Sequence, residues 1–124
     1  VVLAVPYAAV TSILEANKKA LEGKIIVDIT NPVNFATMDD LLVASDSSSS
    51  DVIAQTVASA KVIKAFNTNF ASTLAGDSVT TVLMASSDED AKSVFAKALE
   101  GSGLVLIDEG SLHRGRELEA LGFL

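Results

Sequence analysis

The sequence predicts an α/β fold, in which a doubly wound, mostly parallel sheet of about five strands carries helices on both faces. Three observations lead to this prediction. Short runs rich in β-branched residues are apolar without alternation, which is typical of strands buried on both faces. Segments with helical periodicity separate most of these runs, and repeated β-α-β units imply right-handed crossovers between parallel strands. Only 5% of the 124 residues are aromatic, so small aliphatic side chains must build the core.

Five runs are predicted to form the strands, and they cover residues 1–5, 24–30, 61–67, 80–86 and 104–109. The second run stops at Asn31 and Pro32. Proline lacks an N–H and biases the preceding residue toward extended geometry, so strand pairing ends there in a fixed shape. The link between the third and fourth runs is short, so the fourth strand could run antiparallel to its neighbour.

Four helices are predicted between and after these strands. The first ends at Gly23, a common helix stop, and its apolar face consists of Val10, Ile13, Leu14 and Leu21. The second covers about residues 51–60, with Asp51 suited to its N-terminus. The third covers about residues 88–99 and opens with capping and acidic residues that favour the positive end of the helix dipole. The last begins near Leu112.

The serine-rich segment of residues 45–51 lies between the second strand and the second helix. Its composition is of low complexity and polar. We expect a solvated connecting loop here, and a phosphate-binding role is the less favoured alternative.

Charge and composition exclude several classes of function. The net charge is −7, so the chain lacks the excess of basic residues with which proteins bind nucleic acids and anionic membranes. There is no cysteine, which excludes a disulfide framework, a thiolate nucleophile and a cysteine-ligated metal, and is compatible with a cytoplasmic setting. No apolar run approaches the roughly 20 residues that span a bilayer. The apolar opening run has neither an initiating Met nor a basic segment, so we do not interpret it as a signal peptide.

Polar or turn-forming residues follow the first three predicted strands. In an open α/β sheet, ligands bind beyond the carboxyl ends of the strands. The residues at these ends are Pro6-Tyr7, Thr30-Asn31-Pro32 and Asn67-Thr68-Asn69. Thr and Asn side chains offer donors and acceptors that could hold a carboxamide or a ribose. Asn-Pro can also serve only as a turn initiator, but three such ends on successive strands favour a ligand site.

The usual phosphate-binding signal is missing from this chain. A dinucleotide fold places Gly-x-Gly-x-x-Gly between a strand and a helix, where backbone N–H groups meet the pyrophosphate. None of the seven glycines forms that pattern. We therefore expect that these residues do not contain their own pyrophosphate site.

Several charged residues have two possible interpretations. The single histidine, His113, has no second ligand or nucleophile near it in the sequence and is expected to lie at the surface or to cap a helix. Arg114 and Arg116, with Glu117 and Glu119, are expected to form a solvated helical face, and binding an acidic ligand group is the alternative.

Two charged residues interrupt the predicted strands. Lys64 could extend to solvent at a sheet edge or face the site, and the sequence does not decide between them. Asp28 is expected to be a buried, hydrogen-bonded carboxylate.

Four stretches resemble one enzyme family. In chain order, "VVLAVPYAAV", "GKIIVDITNPVNF", "KVIKAFNTNFASTLAG" and "RGRELEALGFL" are similar to the NADP-dependent deazaflavin-coenzyme (coenzyme F-420) reductases. The resemblance covers essentially the whole chain. It implies a Rossmann-type fold in which residues 1–124 form the nicotinamide-side half of an NAD(P)-binding domain. The half with the Gly-rich loop is then expected upstream.

The resemblance also implies an activity. It implies an oxidoreductase that transfers hydride between NADP(H) and a deazaflavin or flavin-like acceptor. The cofactors carry such chemistry and the protein orients them, so no catalytic acid or base is assigned. These residues alone are expected to be inactive. The alternative is a non-catalytic dinucleotide-sensing or oligomerisation domain of the same fold.

The resemblance places nine residues beside the cofactors, and no metal ligand is assigned. The expected partners are small-molecule cofactors, with a homo-oligomer as a possibility. The residues expected to border the cofactor's ribose and nicotinamide are Ala4, Val5, Pro6 and Tyr7. Those expected to line the nicotinamide end are Thr30, Asn31 and Pro32. Those expected near the junction with the second substrate are Asn67 and Thr68.

Overall fold

One five-stranded sheet organises the protein, and the computed structural model describes residues 1–124. The strands follow the order β1-β2-β3-β4-β5 across the sheet. The first three are mutually parallel, β4 is antiparallel to β3, and β5 is parallel to β4. The prediction of a doubly wound, mostly parallel sheet is therefore confirmed, and β4 runs antiparallel, which the short link had left open. The strands are Val2–Leu3 (β1), Ile25–Asp28 (β2), Lys61–Ala65 (β3), Thr80–Ala85 (β4) and Leu104–Asp108 (β5).

All four predicted helices occur, and a single helical turn is added between β3 and β4. The helices are Tyr7–Leu21 (α1), Ser49–Thr56 (α2), Ala71–Leu74 (α3), Glu89–Ala98 (α4) and Gly115–Phe123 (α5). A 3-10 turn, Leu112–Arg114, leads into α5. Gly23 ends α1 as predicted and has a φ of 68°, which glycine adopts without strain. None of the helices has the length and apolar character needed to cross a membrane.

The sheet separates two hydrophobic cores. Ile26 and Val62 face one core, which α1 and α2 cover with Val10, Leu14 and Ile53. The next residue of each strand, Val27 or Ile63, faces the other core, which α4 covers with Ala91 and Phe95. Because successive strand side chains point to opposite faces, burial on both sides explains the uninterrupted apolar runs.

The first predicted strand is much longer than the observed one. Only Val2 and Leu3 pair with β2, and residues 4–6 leave the sheet before α1 begins at Tyr7. Pro6 stands directly before the helix with φ −58° and ψ 141°. Residues 4–7 therefore lie at the end of β1 and are free of strand pairing.

The prediction of a solvated loop at residues 45–51 is wrong for the second half of this segment. Ser48, Ser49 and Ser50 are completely buried, and α2 begins at Ser49. The Ser48 hydroxyl caps this helix by accepting a hydrogen bond of 3.0 Å from the Asp51 backbone N–H. Serine hydroxyls that find partners inside the protein no longer need water, so polar composition alone misled the prediction.

Candidate functional site

Two pockets adjoin at the carboxyl end of the parallel strands. The first, which we call the β1–β2 pocket, has a volume of about 490 Å³. It is lined by Ala4, Val5, Pro6, Tyr7, Ile29, Thr30, Asn31 and Phe35. The second, the β3–β4 pocket, has a volume of about 570 Å³. It is lined by Asn31, Asn67, Thr68, Asn69, Phe70, Thr81, Leu83, Leu121, Gly122 and Leu124. Asn31 belongs to both.

Eight of the nine residues predicted to bind cofactor line one of these pockets. Pro32 is the exception, because it is fully buried and lines neither. Thr30 borders the β1–β2 pocket, but its hydroxyl is directed inward and donates to Asp28 at 2.7 Å. The structure thus brings the predicted residues together, while their contact with a cofactor stays a prediction.

A pair of carboxamides, Asn31 and Asn67, stands between the two pockets. The Asn31 Nδ2 donates to the backbone oxygen of Asn67 at 2.8 Å. The Asn67 Nδ2 donates to Asn31 Oδ1 at 3.0 Å and to the backbone oxygen of Leu118 at 2.8 Å. The Oδ1 atoms of Asn67 and Asn69 are buried without a hydrogen-bond partner. Such unsatisfied acceptors are uncommon in proteins, and because both atoms are shielded from solvent, a ligand could reach them only if the side chains moved.

The chain turns sharply just before this carboxamide pair. Phe66 has a φ of 64°, a left-handed conformation that is rare for a bulky residue. Its ring packs edge-to-face on Phe95, with centroids 6.0 Å apart. Strained backbone of this kind persists where the surroundings fix it, and it concentrates at functional sites. Here it directs the chain from β3 into the pocket wall.

A buried ionic cluster lies beneath the site, formed by Asp28, Thr30, Ser49, Ser50, Lys64 and Glu119. Lys64 and Asp28 are register partners on adjacent strands. The Lys64 Nζ lies 3.0 Å from Asp28 Oδ2 and 2.8 Å from Glu119 Oε1, and all three side chains have no solvent exposure. Lys64 therefore neither extends to solvent at an edge nor faces a pocket. It bonds inside the protein.

The predicted solvated face on α5 is correct for three of its four residues. Arg114 and Arg116 are exposed to partly exposed and both approach Glu117, at 3.9 and 3.0 Å. Glu119 is instead completely buried, so this part of the prediction is wrong. Helical periodicity turns position 119 toward the sheet, where Lys64 compensates its charge. His113 is exposed in the 3-10 turn, as expected.

Five donor groups lie within hydrogen-bond distance of the Asp28 carboxylate. Its Oδ1 receives the backbone N–H and hydroxyl of Thr30, and its Oδ2 receives Ser49, Ser50 and Lys64. Burial by itself raises the pKa of Asp28, but the charge of Lys64 and these hydrogen bonds outweigh it and hold the pKa below its ordinary value. The predicted buried, hydrogen-bonded carboxylate is confirmed.

The pKa of Glu119 is shifted in the opposite direction. Burial raises the pKa of Glu119 above its ordinary value, despite the attraction and hydrogen bond of Lys64. Its Oε1 also accepts the backbone N–H of Ser49 at 2.8 Å, the first N–H of α2. Glu119 therefore joins α5 to the N-terminus of α2 and to β3. The single hydroxyl proton of Ser49 faces both carboxylates and can be donated to only one at a time.

The cluster also influences the β1–β2 pocket. Partial burial, and then the negative charges of Glu119 and Asp28, raise the pKa of Tyr7. The phenol of Tyr7 therefore stays protonated at neutral pH and can donate a hydrogen bond within the pocket that it lines.

The sequence interpretation did not single out Ser49, Ser50 or Gly122. One signal could have pointed to the cluster, because Asp28 and Lys64 stand at equivalent places near the ends of two neighbouring apolar strands. A buried carboxylate and a buried ammonium in register need further hydrogen-bond partners. Those partners come from segments distant in the chain, and no local pattern identifies them.

The architecture defines a Rossmann-like α/β protein, with two pockets at the carboxyl ends of its first three strands. No family model matches the chain. The F420-dependent NADP reductase of Methanocaldococcus jannaschii is 32% identical over 129 aligned positions, which cover 98% of this chain and 57% of that protein. The chain is thus related to the F420-dependent NADP reductases, and the resemblance noted in the sequence is confirmed. It spans little more than half the length of that relative.

Solved structures support the same relationship. A candidate F420-dependent NADP reductase from Arthrobacter sp. FB24 superposes with a TM-score of 0.85 at 32% identity, over 97% of this chain and 58% of the other. The hypothetical protein SMa0349 from Sinorhizobium meliloti gives a TM-score of 0.78 at 27% identity, over 92% of this chain and 58% of the other. A pyrroline-5-carboxylate reductase from Coxiella burnetii, at 16% identity and a TM-score of 0.60, over 98% of this chain and 40% of the other, shares the fold.

Proposed function

We propose that residues 1–124 form the nicotinamide-side part of an oxidoreductase that transfers hydride between NADP(H) and a deazaflavin or flavin-like acceptor. The observation that carries this proposal is the pair of adjoining pockets that share Asn31. Direct hydride transfer needs two bound rings held close together, and two adjoining pockets suit that requirement. The relationship to F420-dependent NADP reductases supports the choice of cofactors.

In this proposal the β1–β2 pocket receives the nicotinamide and its ribose. Residues 4–7 are free of strand pairing there and form a mainly apolar wall suited to a flat ring. The protonated phenol of Tyr7 supplies a hydrogen-bond donor. The carboxamide of Asn31 stands at the boundary with the second pocket, where it can fix the orientation of a ring.

The β3–β4 pocket then receives the hydride acceptor. Phe70, Leu83 and Leu121 offer apolar contact for a planar heterocycle. These side chains support an acceptor that is flat and largely apolar.

The contribution of the chain to the reaction is orientation. NADPH, when bound, supplies the hydride, and holding two reactants in a reactive geometry can contribute several kcal/mol. The residues that line the pockets include no histidine and no carboxylate. We therefore assign binding and orienting roles to Tyr7, Asn31 and Asn67, and no acid–base role.

The test is an assay of the gene product that contains these residues. With NADPH and a deazaflavin or flavin acceptor, we expect NADPH absorbance to fall as the acceptor is reduced. Asn31→Ala should lower kcat/KM by roughly 100-fold, because misplaced rings react slowly. Asn17→Ala is the matched control, since Asn17 is exposed on α1 and bonds only to the backbone oxygen of Ile13.

Two results would contradict the proposal. Absence of NADPH binding by the gene product would exclude it altogether. NADPH binding without turnover of any acceptor would favour the alternative, a dinucleotide-sensing or oligomerisation domain. The isolated 124-residue chain should bind NADPH only weakly by calorimetry, because it contains no Gly-rich phosphate loop.

A further inference from the structure

We propose that helix α5 positions the site, because it determines where the Asn31 and Asn67 carboxamides lie. Gly122 allows the helix to rest directly on this pair, and Glu119 fixes how deeply the helix sits. The kinetic consequence of this proposal rests on the proposed function, whereas its structural content does not.

Gly122 has no room for a side chain. A methyl group at this position would lie 2.8 Å from Asn31 Oδ1 and 2.9 Å from the backbone oxygen of Asn67. It would also lie 3.1 Å from Asn31 Nδ2. The Asn31 side chain could rotate away, but a backbone oxygen cannot. Any residue larger than glycine must therefore displace either the helix or the carboxamide pair.

A second contact joins the helix to the pair one turn earlier. The backbone oxygen of Leu118 accepts a hydrogen bond of 2.8 Å from Asn67 Nδ2. Asn67 is 94% buried, with an exposed fraction of 6%, so water does not replace this bond. The two ends of the carboxamide pair are thus held by successive turns of α5.

Glu119 fixes the same helix from the sheet side. Its Oε1 lies 2.8 Å from both Lys64 Nζ and the backbone nitrogen of Ser49. Helix α5 is therefore attached to β3 and α2 below, while Leu118 and Gly122 contact the carboxamide pair. These directed contacts fix how deeply Glu119, and the helix that carries it, sits against the sheet.

This arrangement links the two pockets. Leu121, Gly122 and Leu124 form one wall of the β3–β4 pocket. Asn31, against which Gly122 packs, also lines the β1–β2 pocket. A displacement of α5 therefore changes the shape of one pocket and the boundary of the other.

The decisive variant is Gly122→Ala in the full chain, observed by NMR of the asparagine side-chain amides. We expect the Asn31 and Asn67 Nδ2 resonances to shift and their hydrogen exchange to accelerate. The helical signal should persist, because alanine is the better helix former. The matched control is Gly76→Ala, where the added methyl would meet its nearest neighbour, the Thr73 oxygen, at an ordinary 3.5 Å. Unchanged Asn31 and Asn67 resonances in Gly122→Ala would overturn the proposal.

A second variant decides the question if Gly122→Ala does not fold. Glu119→Gln keeps the shape of the side chain and removes its charge. We expect faster exchange of the α5 backbone amides and altered Asn67 side-chain resonances. If both remain as in the wild type, Glu119 does not position the helix and the proposal fails.

The kinetic arm uses the gene product that oxidises NADPH. Gly122→Ala should lower kcat by roughly 10- to 100-fold with a smaller change in the KM for NADPH, because orientation and not affinity is disturbed. Gly76→Ala should leave both unchanged. Equal kcat values in the two variants would contradict the proposal. If the wild type does not oxidise NADPH, the proposed function fails, and the NMR experiment still tests the role of α5.

Discussion

Lys64 and Lys92 each contact two carboxylates at nearly the same distances, but in different surroundings. The Nζ of Lys64 lies 3.0 Å from Asp28 and 2.8 Å from Glu119, and neither partner is exposed. The Nζ of Lys92 lies 3.0 Å from Glu89 and 2.9 Å from Asp108, whose side chains are 81% and 43% exposed. The two groups therefore differ in their access to water far more than in geometry.

The difference determines what each group contributes to the protein. Glu89 and Asp108 are open to water, so water can solvate these carboxylates if Lys92 is lost, and the ion pairs contribute little. Around Lys64, a lost partner leaves a charge buried without compensation, which is strongly destabilising. The Lys64 group also joins four elements of the fold, whereas Lys92, whose side chain is 8% exposed, joins only α4 to β5 through its exposed partners. Variants of the buried group should therefore have larger effects on stability than variants of Lys92.

Lys64→Met should have the largest effect on stability. It leaves Asp28 and Glu119 buried beside each other without a positive charge, and we expect a loss of about 3–5 kcal/mol in the free energy of unfolding. Urea denaturation measures this. Lys61→Met is the matched control, because Lys61 lies in the same strand with 40% of its side chain exposed and only a 3.6 Å contact to Asp88. A similar loss in both variants would contradict the contrast.

A double variant sharpens this prediction. Lys64→Met with Glu119→Leu removes one ion pair and its uncompensated charge together, and such replacements are often neutral. Asp28 keeps its donors from Thr30, Ser49 and Ser50. We expect the double variant to regain part of the stability lost in Lys64→Met. If it is less stable than the single variant, the charge argument is wrong.

The pH dependence of stability should change in Glu119→Gln. The folded pKa of Glu119 is raised above its ordinary 4.5, so the folded state holds its proton more tightly than the unfolded state. The resulting stabilisation is complete below pH 4.5 and is lost as pH rises through the folded pKa. In the wild type, this group should make the free energy of unfolding decline as pH rises above 4.5. Glu119→Gln should remove that decline, which urea denaturation across pH measures.

Asp28 should produce the opposite pH dependence of stability, a loss on the acid side of the curve, and it serves as the control for the previous experiment. Its folded pKa lies below its ordinary 3.8, so its stabilisation is complete above pH 3.8 and is lost as pH falls through the folded pKa. Glu119→Gln should retain this acid limb. Loss of the acid limb, with the alkaline one unchanged, would show that the two carboxyl groups have been assigned the wrong way round.

Lys92→Met should have the smallest effect, a loss of about 1 kcal/mol or less in the free energy of unfolding. The hydrogen bond to Asp108 raises the pKa of Lys92 above its ordinary 10.5. Its stabilisation is therefore complete below pH 10.5 and is lost as pH rises through the raised pKa. Denaturation in high salt should reduce the effect further, since the partners are exposed. A loss as large as that of Lys64→Met would remove the distinction between the two lysines.

The sequence predicted those features of a strand or helix that depend only on the residues within it. The β-branched runs predicted all five strands, and Gly23 predicted the end of α1. The short link after β3 indicated the reversal of β4. The predicted strands run past the observed ends, but eight of the nine candidate residues that follow or end them line two adjoining pockets. Polarity and periodicity suffice for these features because they act over a few neighbouring residues.

The predictions failed where distant segments meet. A serine-rich stretch was expected in solvent because its composition is polar, yet Ser49 and Ser50 are buried against Asp28. Glu119 was expected on an exposed face for the same reason. Nothing in the local sequence of α5 indicates that Lys64, 55 residues earlier, lies beneath it.

The sequence by itself determined the α/β order, the two-sided burial of the sheet and the polar ends of its strands. Only the tertiary structure decided which polar groups avoid water. The physical reason is that a buried charge is tolerated only with partners, and here the partners of Lys64 come from β2, α2 and α5. The same packing of α5 decided that Gly122 contacts Asn31 and Asn67, and so set the boundary between the two pockets.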